Sequence, residues 1–510
     1  MILATPIILL AQILAPIITS EPPAYYVANC SPCADGIVGD DANDGTSPTT
    51  PFLTIAHLMT VDTAAPRSVW NLHRDSVWHE MATAPRDYMT IQQYGAGANL
   101  PVLDGAVSIS ALAWSQPRGE GTCYQASLPV DTSAPGWINV WEDAAVVPWV
   151  ASTALCDAAG AGAYYVAQDA NGGATNPSTV YLRPNDGSDP ATSGTLHEYS
   201  YIRSGIYTSR YGLTVNGIWT TRNFAFDGSM KLGGGGGRIY NSRLSQGSKH
   251  NMVANAPVWM YSSSADEAYF GPNGAAILQV INSGTETDKP AEFHNVTVAL
   301  SAYSATVGAF GMHGVNGGDV GLISYYDCSV SNMAAAYSDA GNGSLVSNST
   351  ATNVLEAVTS NIFTTITGGT FVGHGGGNGL VKITGPGPLI ISGATLQLGG
   401  TVQTNNCIYA PSATPLTITM MNSFCGGIGV GSVGSTVGVT SAVTALTASG
   451  NTINNTGFRV WALYTSVGST VAATNNVFQA FNSNKFAYLN GTNYTYAQWK
   501  AAGYDSGSMP

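Results

Sequence analysis

Similar four-residue segments recur along the chain between residues 241 and 478. Each begins with a small or turn-forming residue and ends with an apolar one, and the final residues Phe371 and Leu396, and Ile453 and Phe478, are 25 residues apart. The segments are NSRL (241–244), NVTV (295–298), DCSV (327–330), GGTF (368–371), GATL (393–396), GNTI (450–453) and NNVF (475–478). Coils of about 20–30 residues are typical of a β-solenoid, in which each coil buries its inward side chains against its neighbours.

The larger intervals fit the same spacing. Steps of 57 residues, from Leu396 to Ile453, and of 54, from Leu244 to Val298, each predict two coils, and MNSFC (421–425) supplies the middle segment of the first. Steps of 32 and 41 residues on either side of Val330 predict longer loops. A leucine-rich horseshoe would instead repeat Leu-x-x-Leu-x-Leu, which the sequence lacks.

The composition excludes several other classes of protein. Only 9% of residues are charged and 44% are hydrophobic, a combination that argues against disorder. Helical bundles need many Glu, Lys, Arg and Leu residues, whereas this chain has 60 Gly. The net charge of −13, with only 17 Lys and Arg, predicts no nucleic-acid partner.

Both ends of the repeat region carry recognisable sequence. AYYVANCSPCADGIVGDDANDGTSPTTPFLTIAHLM (24–59) predicts a strand from Tyr25 to Ala28, a polar loop, and a helix from about Pro51 capped by Thr50. NGTNYTYAQWKAAGYDSGS (490–508) predicts a short helix from Ala497 to Ala502, capped by Thr495 and ended by Gly503.

These two segments resemble the opening and closing signatures of right-handed parallel β-helix proteins, a superfamily that includes pectate-lyase-like enzymes and phage tailspikes. The resemblance implies an all-β solenoid with an N-terminal capping helix and a β-rich insertion. The expected parts are an apolar segment (1–21), a strand, loop and capping helix (22–66), first coils and the insertion (67–212), main coils (213–482) and a C-terminal cap (483–510).

Residues 1–20 are apolar and carry no charged side chain. They suit either a cleaved secretory signal or a retained tail that docks into other virion or assembly proteins. Both readings place the protein outside the cytoplasm or on a virion.

The seven cysteines form no dense disulfide framework. Cys30 and Cys33, in CSPC, predict a local disulfide or free thiols rather than a metal site, since no His lies nearby in sequence. Cys123 and Cys156 are able to form a bridge. Cys328, Cys407 and Cys425 read as small apolar core residues.

Enzymes of the resembled superfamily work in a groove along one outer sheet face. Five candidates fall three to nine residues after the apolar landmark of their coil: Lys231 (after Phe226), Lys249 and His250 (after Leu244), Asp339 (after Val330) and His374 (after Phe371). If they share one edge, a Lys or His could remove a uronic-acid C5 proton while a carboxylate acts as acid or holds calcium. The alternative is that Lys249 and His250 are turn residues on a solvated surface.

Two further sets complete the candidates. Trp259, Tyr261, Tyr303 and Tyr326 could stack on sugars; Trp259 and Tyr261 share one strand face, and the sequence favours the core over a groove for that face. Asp40, Asp41, Asn43 and Asp44 offer oxygen ligands for Ca²⁺, against the alternative of a structural turn.

The resemblance therefore implies a virion-associated spike or surface protein that binds, and in some relatives depolymerises, a bacterial surface polysaccharide; it also admits a homotrimer. A secreted polysaccharide lyase or glycoside hydrolase is the first alternative. A noncatalytic structural or decoration protein is the second. No lyase or hydrolase motif is matched residue by residue, so the sequence leaves catalysis open.

Overall fold

The computed structural model describes most of the chain after residue 20. The described residues are 21–63, 67–115, 122–129, 137–167, 178–224, 228–268, 275–281, 289–301, 309–314, 320–339, 343–375, 379–399, 406–410, 416–427, 435–439, 443–454, 461–464, 470–479 and 485–509. The apolar segment 1–20, with both of its predicted roles, lies outside them.

Three long sheets run the length of the molecule, and the chain visits them in the order A, B, C in each coil. Neighbouring strands are parallel, apart from the closing hairpin Ala487–Tyr494 of sheet C. Sheet A consists of Ala24–Val27, Val69–His73, Thr90–Tyr94, Thr214–Asn216, Gly237–Tyr240, Val258–Tyr261, Lys289–His294, Val320–Tyr326, Ser344–Ser347, Thr364–Thr367, Gly387–Ser392, Leu416–Met421, Val443–Ser449, Thr470–Thr474 and Asp505–Ser506. The predicted parallel β-helix is confirmed.

Sheets B and C have the same construction. Sheet B consists of Val77–Trp78, Val102–Asp104, Trp219–Thr221, Arg243–Ser245, Ser264–Asp266, Thr297–Ala299, Ser329–Ser331, Thr350–Val354, Thr370–Gly373, Thr395–Leu398, Phe424–Gly427, Thr452–Asn454 and Val477–Gln479. Sheet C consists of Ala82–Thr83, Ile206–Thr208, Met230–Leu232, Met252–Asn255, Ala275–Ile281, Ala309–Gly314, Ala335–Asp339, Glu356–Ser360, Gly379–Ile383, Asn406–Ala410, Ser435–Val439, Trp461–Tyr464, Ala487–Leu489 and Thr492–Tyr494.

The predicted repeat corresponds to one inward-facing row of sheet B. Its members pair in register across successive coils: Thr220, Leu244, Ala265, Val298, Val330, Ala351, Phe371, Leu396, Cys425, Ile453 and Phe478. All seven predicted landmarks are in this row. The 41-residue step was misread, because Ala351 divides it into two short coils.

Each end of the solenoid is closed by a short helix. Helix α1, Ile55–Val61, begins at N-cap Thr54, four residues later than predicted, because Thr50 is engaged with Asp44. An insertion with its own core follows, and it contains helix α2, Thr153–Ala158. Helix α3, Tyr496–Ala501, begins at the predicted cap Thr495, and Trp499 is buried against the last coil.

The insertion leaves the solenoid between the sheet B and sheet C strands of the second coil. It forms one sheet of four strands and another of three: Ala106–Ser108, Val140–Glu142, Ala145–Val146 and His197–Ser200; then Tyr124–Leu128, Ala163–Val166 and Ser178–Arg183. Arg222 of the solenoid ties the insertion to it through an ion pair with Glu198, and it also pairs with Asp104 of the solenoid. No helix in the described residues is long and apolar enough to cross a membrane.

Candidate functional site

A row of aromatic side chains lies on the outer face of sheet A. Tyr240, Tyr261, His294 and Tyr326, here called the aromatic row, pair in register on four successive strands. Strand side chains alternate between the two faces, so the residues that precede them, Ile239, Met260, Phe293 and Tyr325, are buried in the core. The aromatic row itself is half-exposed.

The rings of the aromatic row are stacked along the solenoid axis. Successive ring centroids are 5.2, 4.8 and 4.6 Å apart, with interplanar angles of 9°, 17° and 18°. The inner faces are therefore occupied by neighbouring rings, and the surface presents ring edges, phenol hydroxyls and an imidazole. Tyr240 and Tyr326, at the two ends of the stack, each have one face that no other ring of the row covers.

A second outward row lies two residues earlier on the same strands. The guanidinium of Arg238 lies 5.1 Å from the ring centroid of Trp259, a cation–π contact. Glu292 continues this row, with its carboxylate 3.3 Å from Nε2 of His294. Burial, together with the charge of Glu292, raises the pKa of the Tyr261 hydroxyl, which therefore stays protonated as a hydrogen-bond donor.

A polar cavity of about 410 Å³ lies at the adjoining corner, where the chain turns from sheet A to sheet B. Its lining is Leu100, Asn241, Ser242, Arg243, Ser262, Ser263, Ser264, Asn295 and Thr297. Arg243 lies 4.4 Å from the ring centroid of Trp219 and 3.0 Å from the carboxylate of Asp266. Burial raises the pKa of Asp266, although Arg243 opposes the shift.

Together the two rows and the cavity form a surface, here called the corner surface, that suits an extended polar chain. The half-exposed ring edges offer apolar contact to sugar C–H groups. The surface offers both hydrogen-bond donors and acceptors, from its hydroxyl groups, Arg243 and Glu292. Arg243 is paired with Asp266, and Glu292 lies beside His294, which favours a neutral or lightly charged partner over a polyanion.

Three of the four predicted sugar-binding residues are described. Trp259, Tyr261 and Tyr326 all lie on the corner surface, so the preference for the core on the Trp259–Tyr261 face was wrong. Tyr303 lies outside the described residues. Tyr240 and His294 were missed, although aligning each of them to its apolar sheet B landmark would have placed them in one row.

Lys249 and His250 lie in the turn between sheets B and C where the insertion docks. Ser248, just before them, accepts a hydrogen bond from the backbone N–H of Trp137 in the insertion. His250 is buried, with Nδ1 2.5 Å from the Ala276 carbonyl oxygen. This turn packs against protein, so the alternative of a solvated turn is wrong for His250.

Lys231 and Asp339 do not share that position, whereas His374 directly follows the sheet B strand Thr370–Gly373 and lies on the way to sheet C, further along the solenoid. Lys231 is on the outer face of sheet C and pairs in register with Val253. The prediction counted from Phe226, but the residue that precedes Leu244 in the landmark row is Thr220. Asp339 is buried and accepts hydrogen bonds from Gly343 and Ser344 at a turn from sheet C to sheet A. His374 is exposed beside Asn353.

The five candidates are therefore not on one edge, and the shared-edge premise was wrong. Their individual catalytic roles stay predictions. On the outer face of sheet C, burial lowers the pKa of His313 to about 4.

The predicted calcium loop is engaged in local hydrogen bonds. Asp41 accepts from the backbone N–H groups of Leu53 and Thr54 and from the Thr54 hydroxyl, all at 2.8–2.9 Å. Asp44 accepts from Thr46 and from the Thr50 hydroxyl, while Asp40 accepts from Ala42 and Asn43 donates to the Pro51 carbonyl. These contacts are those of a structural turn, and calcium binding stays a prediction.

The cysteines differ from expectation in one pair. Cys30–Cys33 and Cys123–Cys156 form disulfides, as the sequence allowed. Cys407 and Cys425 are buried as predicted but are also bonded to each other. Cys328 is a buried free thiol. His73 lies beside Cys30, a neighbour that sequence distance concealed.

Comparison with solved structures supports the fold. The structure described as "The complex structure of XylC with xylose" aligns with a TM-score of 0.56 and 10% identity, over 92% of this chain and 86% of the other. A glycoside hydrolase (TM-score 0.32, 10% identity, 95% and 96%) and the Pseudomonas phage phi297 tailspike gp61 (0.25, 14%, 86% and 74%) align too loosely to add to it. No protein-family model and no curated protein sequence matches the chain.

Proposed function

We propose that the protein binds an extended bacterial polysaccharide along the corner surface. The aromatic row carries the proposal. Its four half-exposed rings lie on successive coils and repeat at the coil spacing of about 4.8 Å, a distance close to the length of one sugar unit. Rings placed outside a core normally have a packing partner in the fold or a ligand. Here the partners on the inner faces are rings of the same row, and the ring edges face outward.

The proposal agrees with an extracellular or virion location. Three disulfides favour an oxidising compartment, since cytosolic thiols are kept reduced. Attachment to a virion through residues 1–21, and a homotrimeric state, belong to the same proposal and rest on the sequence resemblance.

The test removes one ring from the middle of the aromatic row. Tyr261→Ala should weaken binding to a responsive glycan about tenfold, which corresponds to about 1.4 kcal/mol, a typical value for an aromatic contact. Binding would be screened on an array of bacterial capsular and exopolysaccharides and measured by calorimetry. The side chain is outside the core, so the variant should fold normally.

Tyr409→Ala is the matched control, because Tyr409 is a half-exposed tyrosine on the outer face of sheet C. It should leave affinity within twofold. Equal losses in both variants, or no binding to any glycan by the native chain, would contradict the proposal.

A depolymerase is the second candidate, favoured by the raised pKa of Asp266 next to the cavity, which suits a general acid. Reducing ends and ultraviolet absorbance of unsaturated products would be followed on the glycans that bind. Product formation that Asp266→Asn abolishes would support it; binding without products would leave the protein a noncatalytic receptor.

A further inference from the structure

The Cys30–Cys33 disulfide has a histidine and a carboxylate beside it. Nδ1 of His73 lies 3.5 Å from Cys30 Sγ, and the Ser76 hydroxyl lies 3.1 Å from the same sulfur. Among the described residues, one group of three His, Cys, Asp or Glu side chains has all its ligand atoms within 4.8 Å of one another, and it consists of Cys30, Cys33 and His73. Cys33 is 4% exposed, whereas Cys30 is half-buried, so Cys30 is the sulfur that a reagent can reach.

Both ring nitrogens of His73 face hydrogen-bond acceptors. Nδ1 lies 2.6 Å from the Arg74 carbonyl oxygen, and Nε2 lies 2.9 Å from a carboxylate oxygen of Asp35. A carbonyl and an ionised carboxylate accept but do not donate. This arrangement favours the protonated ring of the buried His73, on the strand Val69–His73, and places it next to Cys30. A neighbouring cation stabilises a thiolate.

The position of this disulfide makes it a weak structural cross-link. Stabilisation by loop closure grows with the length of the loop. Cys30 and Cys33 are separated by 3 residues, against 33 for Cys123–Cys156 and 18 for Cys407–Cys425. The other two bonds join buried sulfurs.

We propose that Cys30–Cys33 is a reversible thiol–disulfide exchange site, in which Cys30 is the reacting sulfur, His73 stabilises its thiolate and Asp35 holds His73 in place. The partner is a dithiol, protein or small molecule. One thiolate of the dithiol attacks Cys30 Sγ; the Cys30–Cys33 bond breaks, and Cys33 leaves with the electron pair and takes up a proton. The second thiolate then closes the dithiol into its own disulfide and releases Cys30 as a thiolate, so that two electrons pass to the protein.

The other charged and titratable groups near this site are already engaged. The Arg74 guanidinium bonds to the Gly97 and Ala98 carbonyls and to Gln93, and Asp75 accepts from the backbone N–H groups of Ala98 and Asn99. Tyr94 packs edge-on against His73 and Tyr26. Burial raises the pKa of Tyr94 beyond the range of thiol titration, so Tyr94 stays neutral there.

The first experiment compares the three disulfides within one molecule. The native protein is incubated with increasing dithiothreitol, quenched with iodoacetamide and mapped by peptide mass spectrometry. Cys30 and Cys33 should be alkylated at concentrations that leave the other two bonds intact, and the bond should re-form when the reductant is removed. Reduction of all three bonds together would overturn the proposal.

The second experiment tests His73 by a pH profile, which differences in access do not move. In the selectively reduced protein, the alkylation rate of Cys30 should show a midpoint at least one pH unit below the ordinary thiol value of about 8.5. His73→Gln should return it to that value. Should this variant fail to fold, Asp35→Asn, at an exposed residue, carries the test and should raise the midpoint part of the way.

Two outcomes would overturn the proposal here. One is an unchanged midpoint in every folded variant. The other is protection of both reduced thiols by Zn²⁺ that a chelator reverses, together with failure to re-form the bond, because the cluster would then be a metal site.

Discussion

At the residue scale, the corner between sheets A and B is held by a buried polar row. The residue that ends each turn is often Asn with positive φ, such as Asn422 and Asn475, and the next residue is buried and hydrogen-bonds to the coil beside it. Asn476 accepts from the backbone and side-chain N–H of Asn451 and donates to the Ala448 carbonyl. Asn451 in turn accepts from the backbone of Ser423.

Removing a side chain from this buried polar row should lower stability through lost hydrogen bonds, and not through lost apolar packing. Asn476→Ala should lower the free energy of unfolding by about 1–3 kcal/mol, because the backbone N–H of Asn451 would be left buried without an acceptor. Urea unfolding of the C-terminal coils, followed by far-ultraviolet circular dichroism, would measure it.

Asn475→Gly is the control in the same turn. Asn475 has φ +53° and is exposed, and Gly adopts positive φ readily, so the change should stay within about 0.5 kcal/mol. A loss as large as that of Asn476→Ala would mean that turn geometry, and not the buried hydrogen bond, sets the stability of this corner.

The sequence predicted part of this corner and missed the rest for a physical reason. The landmarks Leu244 to Phe478 were found because burial against neighbouring coils demands an apolar residue at one register position. The aromatic row and the polar row keep a fixed distance of four and two residues before these landmarks, but they were missed because their residue types change from coil to coil. His73 was missed because it approaches Cys30 only once the first two sheet A strands pair.

At the element scale, the N-terminal cap shows how a motif can be recognised while its atoms are misplaced. The loop before helix α1 was predicted, but the cap was assigned to Thr50 instead of Thr54. Asp41 explains the shift, since its carboxylate binds the N–H groups of Leu53 and Thr54 and orients the Thr54 hydroxyl toward the N–H of His57.

Asp41 should make the stability of helix α1 depend on pH. Partial burial would raise the pKa of Asp41, but the hydrogen bonds from Thr54 and Leu53 outweigh it and lower the pKa below its ordinary value of 3.8. The folded state therefore binds a proton less readily than the unfolded state. The contribution of Asp41 is complete above pH 4 and is lost as the pH falls through the lowered pKa.

The substitution Asp41→Asn should therefore lower the protection of the helix α1 amides at pH 7, by about 1 kcal/mol, and much less at pH 3. Hydrogen exchange of a peptide covering residues 52–61 would compare variant and native protein at each pH. Asp40→Asn, which loses a carboxylate that bonds only to Ala42 in the same loop, is the control and should change little. Equal effects at both pH values would exclude the charge of Asp41 as the cause.

At the scale of the whole molecule, the chain contains two separate apolar cores. The solenoid core runs from Val27 to Trp499, and the insertion has a core of its own that includes Leu128, Tyr164 and Leu182. A turn-rich stretch with strand-like runs predicted an insertion, but nothing in its sequence indicates which corner it leaves from. That position depends on pairing between Val102–Asp104 and Trp219–Thr221, which are more than a hundred residues apart.

The two ends of the insertion lie close together, because both are held at the same backbone carbonyl oxygen. The solenoid should therefore fold without the insertion. The N–H groups of Tyr201 and Ile202 both lie 2.9 Å from the Gly105 carbonyl oxygen. Replacing residues 106–200 with a Gly-Ser linker should give a chain with a native β-type circular dichroism spectrum. Its loss of stability should be modest, because Asp104 and Arg222 can be solvated as a surface pair once Glu198 is removed.

The same deletion tests whether the glycan binds to the corner surface or to the insertion. The aromatic row is on sheet A, whereas the insertion leaves from the turn between sheets B and C, so glycan affinity should stay within twofold of the native value. Calorimetry with the responsive glycan would measure it. A folded deletion chain that no longer binds would move the site to the insertion, while a chain that aggregates would show that the second coil needs the insertion to close.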